Sequence, residues 1–185
     1  GICAMNEEFA NLYTLPGDDR NDIILGATTD GKVYIHDPLT GEPTANPYIY
    51  KGEQLVLSKK IQLKDDSETA RQQLDCGATP KGWSQGYRSL KFYPNPNEYA
   101  SYERNQSNDV PIFRYADIIL TKAEALLRGA QKTNDDTPQS LLNQIRSYVH
   151  APQFVGVPTL QDILDERGRE FVDENWRRND MIRFG

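Results

Sequence analysis

Residues 112–130, IFRYADIILTKAEALLRGA, decide the fold class of this chain. Small and apolar residues recur here at intervals of three and four, which places them on one face of an α-helix. These residues are Ile112, Ala116, Ile119, Leu120, Ala123, Leu127 and Ala130. Pro111 precedes the pattern and Gly129 marks its end, so the sequence predicts an amphipathic helix between them.

Two further helices are predicted downstream. Thr137 is a good N-cap with Pro138 at the first helical position, and Pro152 stops this second helix. The third helix begins at Thr159, and Asp162 stands in the capping-box position three residues later. The apolar stripe is Leu141, Leu142, Ile145, Tyr148 and Val149 in the second helix, and Leu160, Ile163, Leu164, Phe171 and Val172 in the third.

Gly168 lies on the apolar face of the third helix. A glycine inside a helix costs about 1 kcal/mol relative to alanine. We therefore expect a neighbouring element to pack tightly against this position.

The first two helices form an antiparallel hairpin over residues 112–149, close to one tetratricopeptide-like repeat of about 34 residues. One hairpin cannot bury both faces of its helices, and such arrays need about three repeats or more. The sequence contains no second copy. We expect the missing repeats to lie outside it, so that this chain is a fragment of a larger fold.

The part before the helices is rich in turn residues and poor in helical periodicity. Residues 23–28 and 32–35 are strand candidates on either side of Asp30 and Gly31, a pair that favours a type I′ hairpin turn. Weaker candidates are strands at 55–57 and 88–93 and a short helix at 67–74. The expected fold is mainly α, with a loop-rich region carrying short strands over residues 1–110 and a helical scaffold over residues 111–185.

Charge and hydropathy exclude several functional classes. The chain has 185 residues, a net charge of −6 and a pI near 5.0, which argues against non-specific nucleic-acid binding. No apolar run approaches the roughly 18 residues of a membrane span, and no basic-plus-apolar leader opens the sequence. Cys3 and Cys76 could pair in an exported protein or stay reduced in a cytosolic one.

The carboxylates and arginines of residues 162–185 are interpreted as a charged scaffold. Asp165 and Arg169, and likewise Arg169 and Asp173, stand four residues apart and are expected to form exposed pairs. Arg167 and Glu170 lie near the edge of the apolar face, where partial burial would make their pairing structural. A catalytic role is disfavoured because general acid–base chemistry needs a carboxylate pair in a concave pocket.

No metal or cofactor pattern is found. His36 and His150 stand in no metal-binding spacing, and residues 18–22 lack the glycine and distal glutamate of a calcium loop. No glycine-rich phosphate loop is present. Residues 82–86, GWSQG, have the GxSxG spacing, but no strand is predicted before them and no helix after them, as a nucleophile elbow requires. We therefore expect no cofactor, no metal and no enzymatic activity.

Aromatic residues on the predicted loops are the candidate ligand-binding residues. They are Trp83, Tyr87, Tyr93, Tyr99 and Tyr102, which lie among amides and charged groups in GWSQGYRS and YPNPNEYASYERN. Apolar faces of sugar rings stack on aromatic rings, and binding residues concentrate on loops. The alternative is that these rings fill the core beneath the loops. Trp83 is the best single candidate, because Gly82 and Gly86 let the backbone present it outward.

The three helical motifs together resemble the C-terminal half of SusD/RagB-type nutrient-binding proteins. The resemblance rests on FRYADIILTKAEALL, LLNQIRSYV and TLQDILDERGREFVDENWRRNDMIRFG, and covers roughly residues 108–185. Matching positions in the last motif are Leu160, Ile163, Leu164, Glu166, Arg167, Glu170, Glu174, Arg177, Asp180 and Arg183, and departures are Gly168, Asn175, Arg178 and Met181. The segment NDIILGATTDG is similar to the strand-rich part of the family, though less specifically.

This resemblance implies a non-catalytic lipoprotein on the outer, extracellular face of the outer membrane of Bacteroidetes-type bacteria. Such proteins bind glycans, or in some members peptides, and cover a SusC-like TonB-dependent transporter. The lipid anchor sits on a cysteine at the mature N-terminus, a role that we do not assign to Cys3, so the anchor is expected outside this chain. The alternative is a protein–protein interaction module without a small ligand of its own.

Overall fold

The computed structural model describes residues 4–37, 39–92, 108–109 and 111–185. Three predicted ligand-binding residues, Tyr93, Tyr99 and Tyr102, lie outside this part of the chain, as does Cys3. The fold is mainly helical with short strands. The chain divides into two compact units: Gly1–Asn11 with Asp22–Asn108, here called the strand unit, and Leu12–Asn21 with Asp109–Gly185, here called the helical unit.

The strand unit contains short helices and two-stranded antiparallel ladders. Its described helices are α1 (Glu7–Ala10), α2 (Glu68–Gln73) and α3 (Pro80–Trp83). Its described strands are β1 (Ile24–Leu25), β2 (Tyr34–His36), β3 (Pro43–Pro47), β4 (Ile49–Tyr50), β5 (Glu53–Gln54) and β6 (Arg88–Ser89). The pairs are β1 with β6, β2 with β3, and β4 with β5.

The predicted hairpin between residues 23–28 and 32–35 is wrong, although its turn is present. Asp30 and Gly31 have φ values of 50° and 81°, and the amide of Lys32 donates to the carbonyl oxygen of Thr29 at 3.1 Å. The strand before this turn ends early because Gly26 takes a φ of 97°. β1 therefore pairs with β6, far along the chain, and not with β2.

The tight hairpin of this unit lies elsewhere, between β4 and β5. Lys51 and Gly52 connect the two strands with φ values of 52° and 90°. Positive φ at both central residues is the geometry of a type I′ turn, which matches the twist of the flanking strands. This turn was not predicted from the sequence.

Val33 links the β2–β3 ladder to the segment that follows β5. Its amide donates to the carbonyl oxygen of Leu55 at 3.0 Å, and its own carbonyl oxygen accepts from the amide of Tyr48 at 2.9 Å. Gly31 sits where a side chain cannot fit, because an ideal Cβ there would lie 1.9 Å from the carbonyl oxygen of Leu57. The turn at Asp30 and Gly31 thus brings the segment that follows it into contact with residues 55–57.

The short helix predicted at residues 67–74 is confirmed as α2. The Ser67 side chain accepts from the amide of Ala70 at 3.1 Å and caps the helix. Leu74 ends it in the left-handed conformation, with a φ of 51°. α3, which the sequence analysis did not identify, is capped in the same way by Thr79 and has Pro80 in its first turn.

The helical unit contains the three predicted helices and a fourth. They are α4 (Tyr115–Leu127), α5 (Pro138–Tyr148), α6 (Leu160–Glu170) and α7 (Arg177–Phe184). The predicted caps are confirmed, because Thr137 and Thr159 each form a capping box, with Ser140 and Asp162 respectively.

An apolar core lies between α4, α5 and α6. Its buried members are Ile119, Leu120, Ala123, Leu141, Leu142, Ile145, Ile163 and Phe171. Several residues predicted to lie on apolar stripes are not part of it, and two of them are large and exposed. Ile112 precedes α4 and is exposed, and Tyr148, at the end of α5, is also exposed.

The close approach predicted at Gly168 is confirmed. An ideal Cβ on Gly168 would lie 2.7 Å from Cδ1 of Leu12 and 3.0 Å from Nη1 of Arg177. The hydroxyl of Tyr13 also donates to the carbonyl oxygens of Gly168, at 3.4 Å, and of Arg169, at 3.2 Å. Burial raises the pKa of Tyr13, so this hydroxyl stays protonated as a donor.

Three charged residues of α6, Glu166, Arg167 and Arg169, are buried, which corrects the expectation of exposed pairs around Arg169. Glu166 is fully buried and accepts from Arg20 at 2.6 Å, Arg146 at 3.0 Å and Arg169 at 2.7 Å. We call this set the Glu166 cluster. Burial alone would raise the pKa of Glu166, but Arg169, Arg20 and Arg146 outweigh it and hold the pKa below its ordinary value.

A second buried set surrounds Arg167. Its guanidinium lies 2.7 Å from the carboxylate of Asp117 on α4 and 2.8 Å from that of Asp180 on α7. The guanidinium also lies over the rings of Phe171 and Trp176, at 4.9 and 5.9 Å from their centroids. The ion pairs of Arg167 on α6 thus connect this helix to α4 and to α7.

Candidate functional site

A groove of about 610 Å³ opens in the strand unit. It is lined by Leu25, Val33, Tyr34, Ile35, His36, Tyr48, Tyr50, Leu55, Leu57, Trp83, Arg88 and Leu90. Many of these residues are two apart in sequence, and residues two apart in an extended segment share one face. Three segments contribute one face each in this way, through Tyr48 and Tyr50, Leu55 and Leu57, and Arg88 and Leu90, whereas residues 33–36 line the groove consecutively.

Trp83 stands at the end of α3, beside this groove, with 46% of its surface exposed. The amide of Gly82 donates to the Thr79 hydroxyl at 3.2 Å, and Arg88 donates to the Trp83 carbonyl oxygen at 3.0 Å. Gly82 allows α3 to lie against the preceding backbone, since an ideal Cβ there would be 2.1 Å from the carbonyl oxygen of Gly77. These contacts fix the backbone that carries the indole.

Three tyrosines that the sequence analysis did not select share the groove with Trp83. They are Tyr34, Tyr48 and Tyr50. Tyr50 sits beside the β4–β5 turn, and the ammonium of Lys51 lies 5.5 Å from the centroid of its ring. The alternation in YIY at 48–50 is the signal that could have identified Tyr48 and Tyr50, whereas no such alternation marks Tyr34, because Ile35 also lines the groove.

Few polar groups line the groove. His36 Nδ1 lies 2.7 Å from the carbonyl oxygen of Gly41, and Arg88 donates to the carbonyl oxygen of Gln85 at 2.7 Å. None of the described lining residues is an aspartate or glutamate. Apolar and aromatic walls with a few placed polar groups are typical of small-molecule sites.

Trp83 is the predicted ligand-binding residue that the structure places in this groove. Tyr87 is only 9% exposed and its ring packs against Gly26, where an ideal Cβ would lie 2.7 Å from the ring atom Cδ1. Burial raises the pKa of the Tyr87 hydroxyl. Tyr87 thus contributes to the interior of the strand unit, and it does not line the groove.

The described residues form neither a metal site nor a membrane-spanning helix. No group of three or more His, Cys, Asp and Glu side chains among them could hold a metal ion. No helix in the same part of the chain is long and apolar enough to cross a membrane.

Comparison with known proteins identifies a relative and a matching family model for this chain. The starch-binding protein SusD of Bacteroides thetaiotaomicron is 34% identical over 107 residues, a match that covers 56% of this chain and 18% of that protein. The chain thus matches less than a fifth of its curated relative, and no solved structure matches it. The model of the SusD family matches residues 47–185, a stretch that includes the helical motifs, Tyr48, Tyr50 and Trp83. The chain therefore belongs to the SusD family.

Proposed function

We propose that this chain is part of a non-catalytic protein that binds an oligosaccharide in the groove of the strand unit. The observation that carries the proposal is the gathering of Trp83, Tyr34, Tyr48 and Tyr50 around one groove of about 610 Å³. That volume lies within the range of about 300–1,000 Å³ common for small-molecule sites. The relative SusD is itself a starch-binding protein, which makes glucans the first ligands to test.

The chemistry of the groove suits a sugar chain. A pyranose ring has an apolar face of C–H groups, which packs on an indole or phenol ring, and a rim of hydroxyls. Tyrosine hydroxyls and the His36 imidazole at the groove can exchange hydrogen bonds with that rim. Several rings along one groove would hold successive sugar units of a chain.

Binding without hydrolysis is the expected outcome. Glycoside hydrolysis generally uses two carboxyl groups, one on each side of the scissile bond. The described lining of the groove contains no carboxyl group. A sugar bound there would meet aromatic faces and hydrogen-bonding groups, and none of the described lining residues would serve as a carboxylic general acid.

The place of this binding step in the cell is also part of the proposal. We infer delivery of the bound glycan, or of an oligopeptide, to a SusC-like TonB-dependent transporter at the extracellular face of the outer membrane. The protein would be held there by a lipid anchor outside this chain. Residues 111–185 would serve as a tetratricopeptide-like scaffold, and residues 1–110 would carry the ligand.

Replacing Trp83 tests the proposal. In the full-length protein, we expect Trp83→Ala to weaken binding of the best oligosaccharide from a defined panel by roughly 10- to 100-fold, the effect of losing one stacking surface. The melting temperature should change little, because nearly half of the side chain is already exposed. Leu39→Ala is a matched control, since Leu39 is an exposed apolar residue outside the groove. A Trp83→Ala protein that binds as well as wild type, or that unfolds, would contradict the proposal.

One observation favours the alternative, a protein-interaction module. Ile112, Phe113 and Ile118 form exposed apolar surface at and before the start of α4. Large apolar side chains exposed together are typical of protein-binding surfaces. A protein that ignores every sugar of the panel but binds the transporter would favour this alternative.

A further inference from the structure

We propose that Gln85 is a positioning residue for the groove of the strand unit: its side-chain amide holds α3 so that Trp83 presents its indole ring to the bound sugar. Gln85 is buried, with 5% of its surface exposed, and it does not line the groove. The inference deepens the proposed function and rests on it, because Gln85 reaches the ligand only through Trp83.

The Gln85 amide connects α3 to a separate part of the strand unit. Its Oε1 atom accepts from the backbone amide of Gln62 at 2.8 Å and from the Ser58 hydroxyl at 3.0 Å. Its Nε2 atom donates to the carbonyl oxygen of Lys81 at 2.8 Å. Lys81 lies inside α3, so the side chain joins the segment that follows β5 to the helix that ends at Trp83.

The two backbone partners require an amide at this position. A backbone N–H can only donate and a carbonyl oxygen can only accept, so the partners determine which end of the Gln85 amide faces each of them. Methionine has a similar length but offers neither a donor nor a strong acceptor. Replacing Gln85 by methionine would therefore remove these bonds with little change in volume.

α3 needs such support because it is a helix of only four residues, Pro80–Trp83. A helix this short is unstable by itself in water, so contacts with other segments must fix its direction. The amide of Ser58 donates to the carbonyl oxygen of Ser84 at 2.8 Å, and its carbonyl oxygen accepts from the amide of Gly86 at 2.8 Å. Both bonds lie beyond the last residue of α3, and the Gln85 side chain extends the connection back into the helix.

A ring that is already held in its binding direction loses less freedom when the ligand arrives. The ordering of one side chain on binding typically weakens affinity by about two- to tenfold. Loss of the Gln85 amide should therefore weaken oligosaccharide binding by about this factor, which is less than the loss of the Trp83 ring itself.

Fluorine NMR of the full-length protein labelled with 5-fluorotryptophan measures the position of the indole without any sugar. The Trp83 signal is assigned by its absence from Trp83→Phe. In Gln85→Met this signal should shift, and its relaxation should show faster motion of the ring. Gln62→Met is the matched control, since it makes the same chemical change at an exposed side chain outside the groove, and its Trp83 signal should coincide with that of wild type. An unchanged signal in Gln85→Met would refute the inference.

Oligosaccharide affinity shows whether Gln85 acts through Trp83. Gln85→Met alone should weaken binding of the best oligosaccharide by about two- to tenfold. In a Trp83→Ala background the same change should have little further effect, because no indole remains to be positioned. An equal loss in both backgrounds would overturn the inference, since Gln85 would then support the groove as a whole.

Ser58→Ala carries the test if Gln85→Met does not fold. It removes one of the three bonds of the Gln85 amide and should change the Trp83 signal in the same direction, by less. If Trp83→Ala weakens binding but the changes at Gln85 and Ser58 alter neither signal nor affinity, the inference is refuted and the proposed function stands. If the Trp83 signal responds but Trp83→Ala leaves binding intact, the proposed function fails, and the role of Gln85 in binding fails with it.

Discussion

Replacing Glu166 by glutamine is the sharpest test of how the helical unit is held together. The side chain keeps its size but loses its charge at the centre of the Glu166 cluster, where it is fully buried. Three arginines would then surround a neutral amide. Removing one partner from a buried ion pair typically costs about 3–5 kcal/mol, because a charge is left buried without compensation.

The other contacts of the three arginines show which of them would lose their only charged partner among the contacts described. Arg20 keeps Asp18 at 2.7 Å and Glu170 at 3.2 Å, and Arg146 keeps the carbonyl oxygen of Pro152 at 3.1 Å. Arg169 keeps a long contact of 3.4 Å to the carbonyl oxygen of Leu12. Most of the loss therefore comes from Arg169, and we expect Glu166→Gln to lower the free energy of unfolding by about 3 kcal/mol or more.

Urea unfolding followed by circular dichroism measures this change. Asp165→Asn is the matched control, since it makes the same chemical change one residue away at a half-buried carboxylate bonded to Gln161. The control should lie within about 0.5 kcal/mol of wild type. A Glu166→Gln protein within about 1 kcal/mol of wild type would refute the reasoning that the buried pairs hold α6 in place.

The effect should also depend on pH, with a definite sign. The folded-state pKa of Glu166 lies below its unfolded value, near 4.5. The stabilisation that Glu166 provides is therefore complete above that pH and is lost as the pH falls through the folded-state pKa. The difference in stability between wild type and Glu166→Gln should accordingly be largest near neutral pH and should shrink in acid.

Two glycines give further predictions. Gly168→Leu should lower the free energy of unfolding by about 1–3 kcal/mol through overpacking against Leu12 and Arg177. Gly168→Ala should be milder and could even stabilise the protein, because the two obstructing atoms end flexible side chains and alanine favours the helix by about 1 kcal/mol. Thermal melting of both variants checks this, and a fully tolerated leucine would contradict it. Gly31→Ala should destabilise by at least about 2 kcal/mol in urea, since its Cβ would meet the backbone of Leu57 at a φ of 81°. A neutral Gly31→Ala variant would mean that the turn can shift away from residues 55–57.

The features that were predictable from the sequence are local. The caps at Thr137 and Thr159 depend on residues within one turn, so the sequence contains everything that sets them. Gly168 was also interpretable, because its position on an apolar face already required a neighbour. That the neighbours would be Leu12 and Arg177 was not visible in any local pattern.

The errors concern partners distant in sequence. The strand at residues 24–25 looked like one arm of a hairpin, but its ladder partner is at residues 88–89. Arg169 looked like an exposed residue paired along its own helix, but Arg20 and Arg146 join it around the carboxylate of Glu166. Sequence spacing fixes which residues share a helix face, and it does not reveal what the fold brings to that face.

The candidate site shows the same limit. Trp83 was selected because glycines and polar residues surround it, and these are local signs of an outward-facing ring. The tyrosines beside it come from separate β segments that meet only in the folded strand unit. Tyr87 had equally favourable neighbours in sequence, but close packing against Gly26 turned it inward.

The division of the chain makes the helical unit a discontinuous domain. Leu12–Asn21 belongs to it, yet residues 22–108, which lie in the strand unit, separate that segment from the helices. Arg20 must therefore close a long loop before it can reach Glu166, and such closure carries an entropic cost that grows slowly with loop length. Residues 109–185 expressed by themselves would lack the side chains of Leu12, Tyr13 and Arg20. Gly168 would then lack the contact with Leu12, and Glu166 would lack one of its three arginine partners. An isolated helical unit therefore needs residues 12–21 joined to it, for example through a short linker in place of the strand unit.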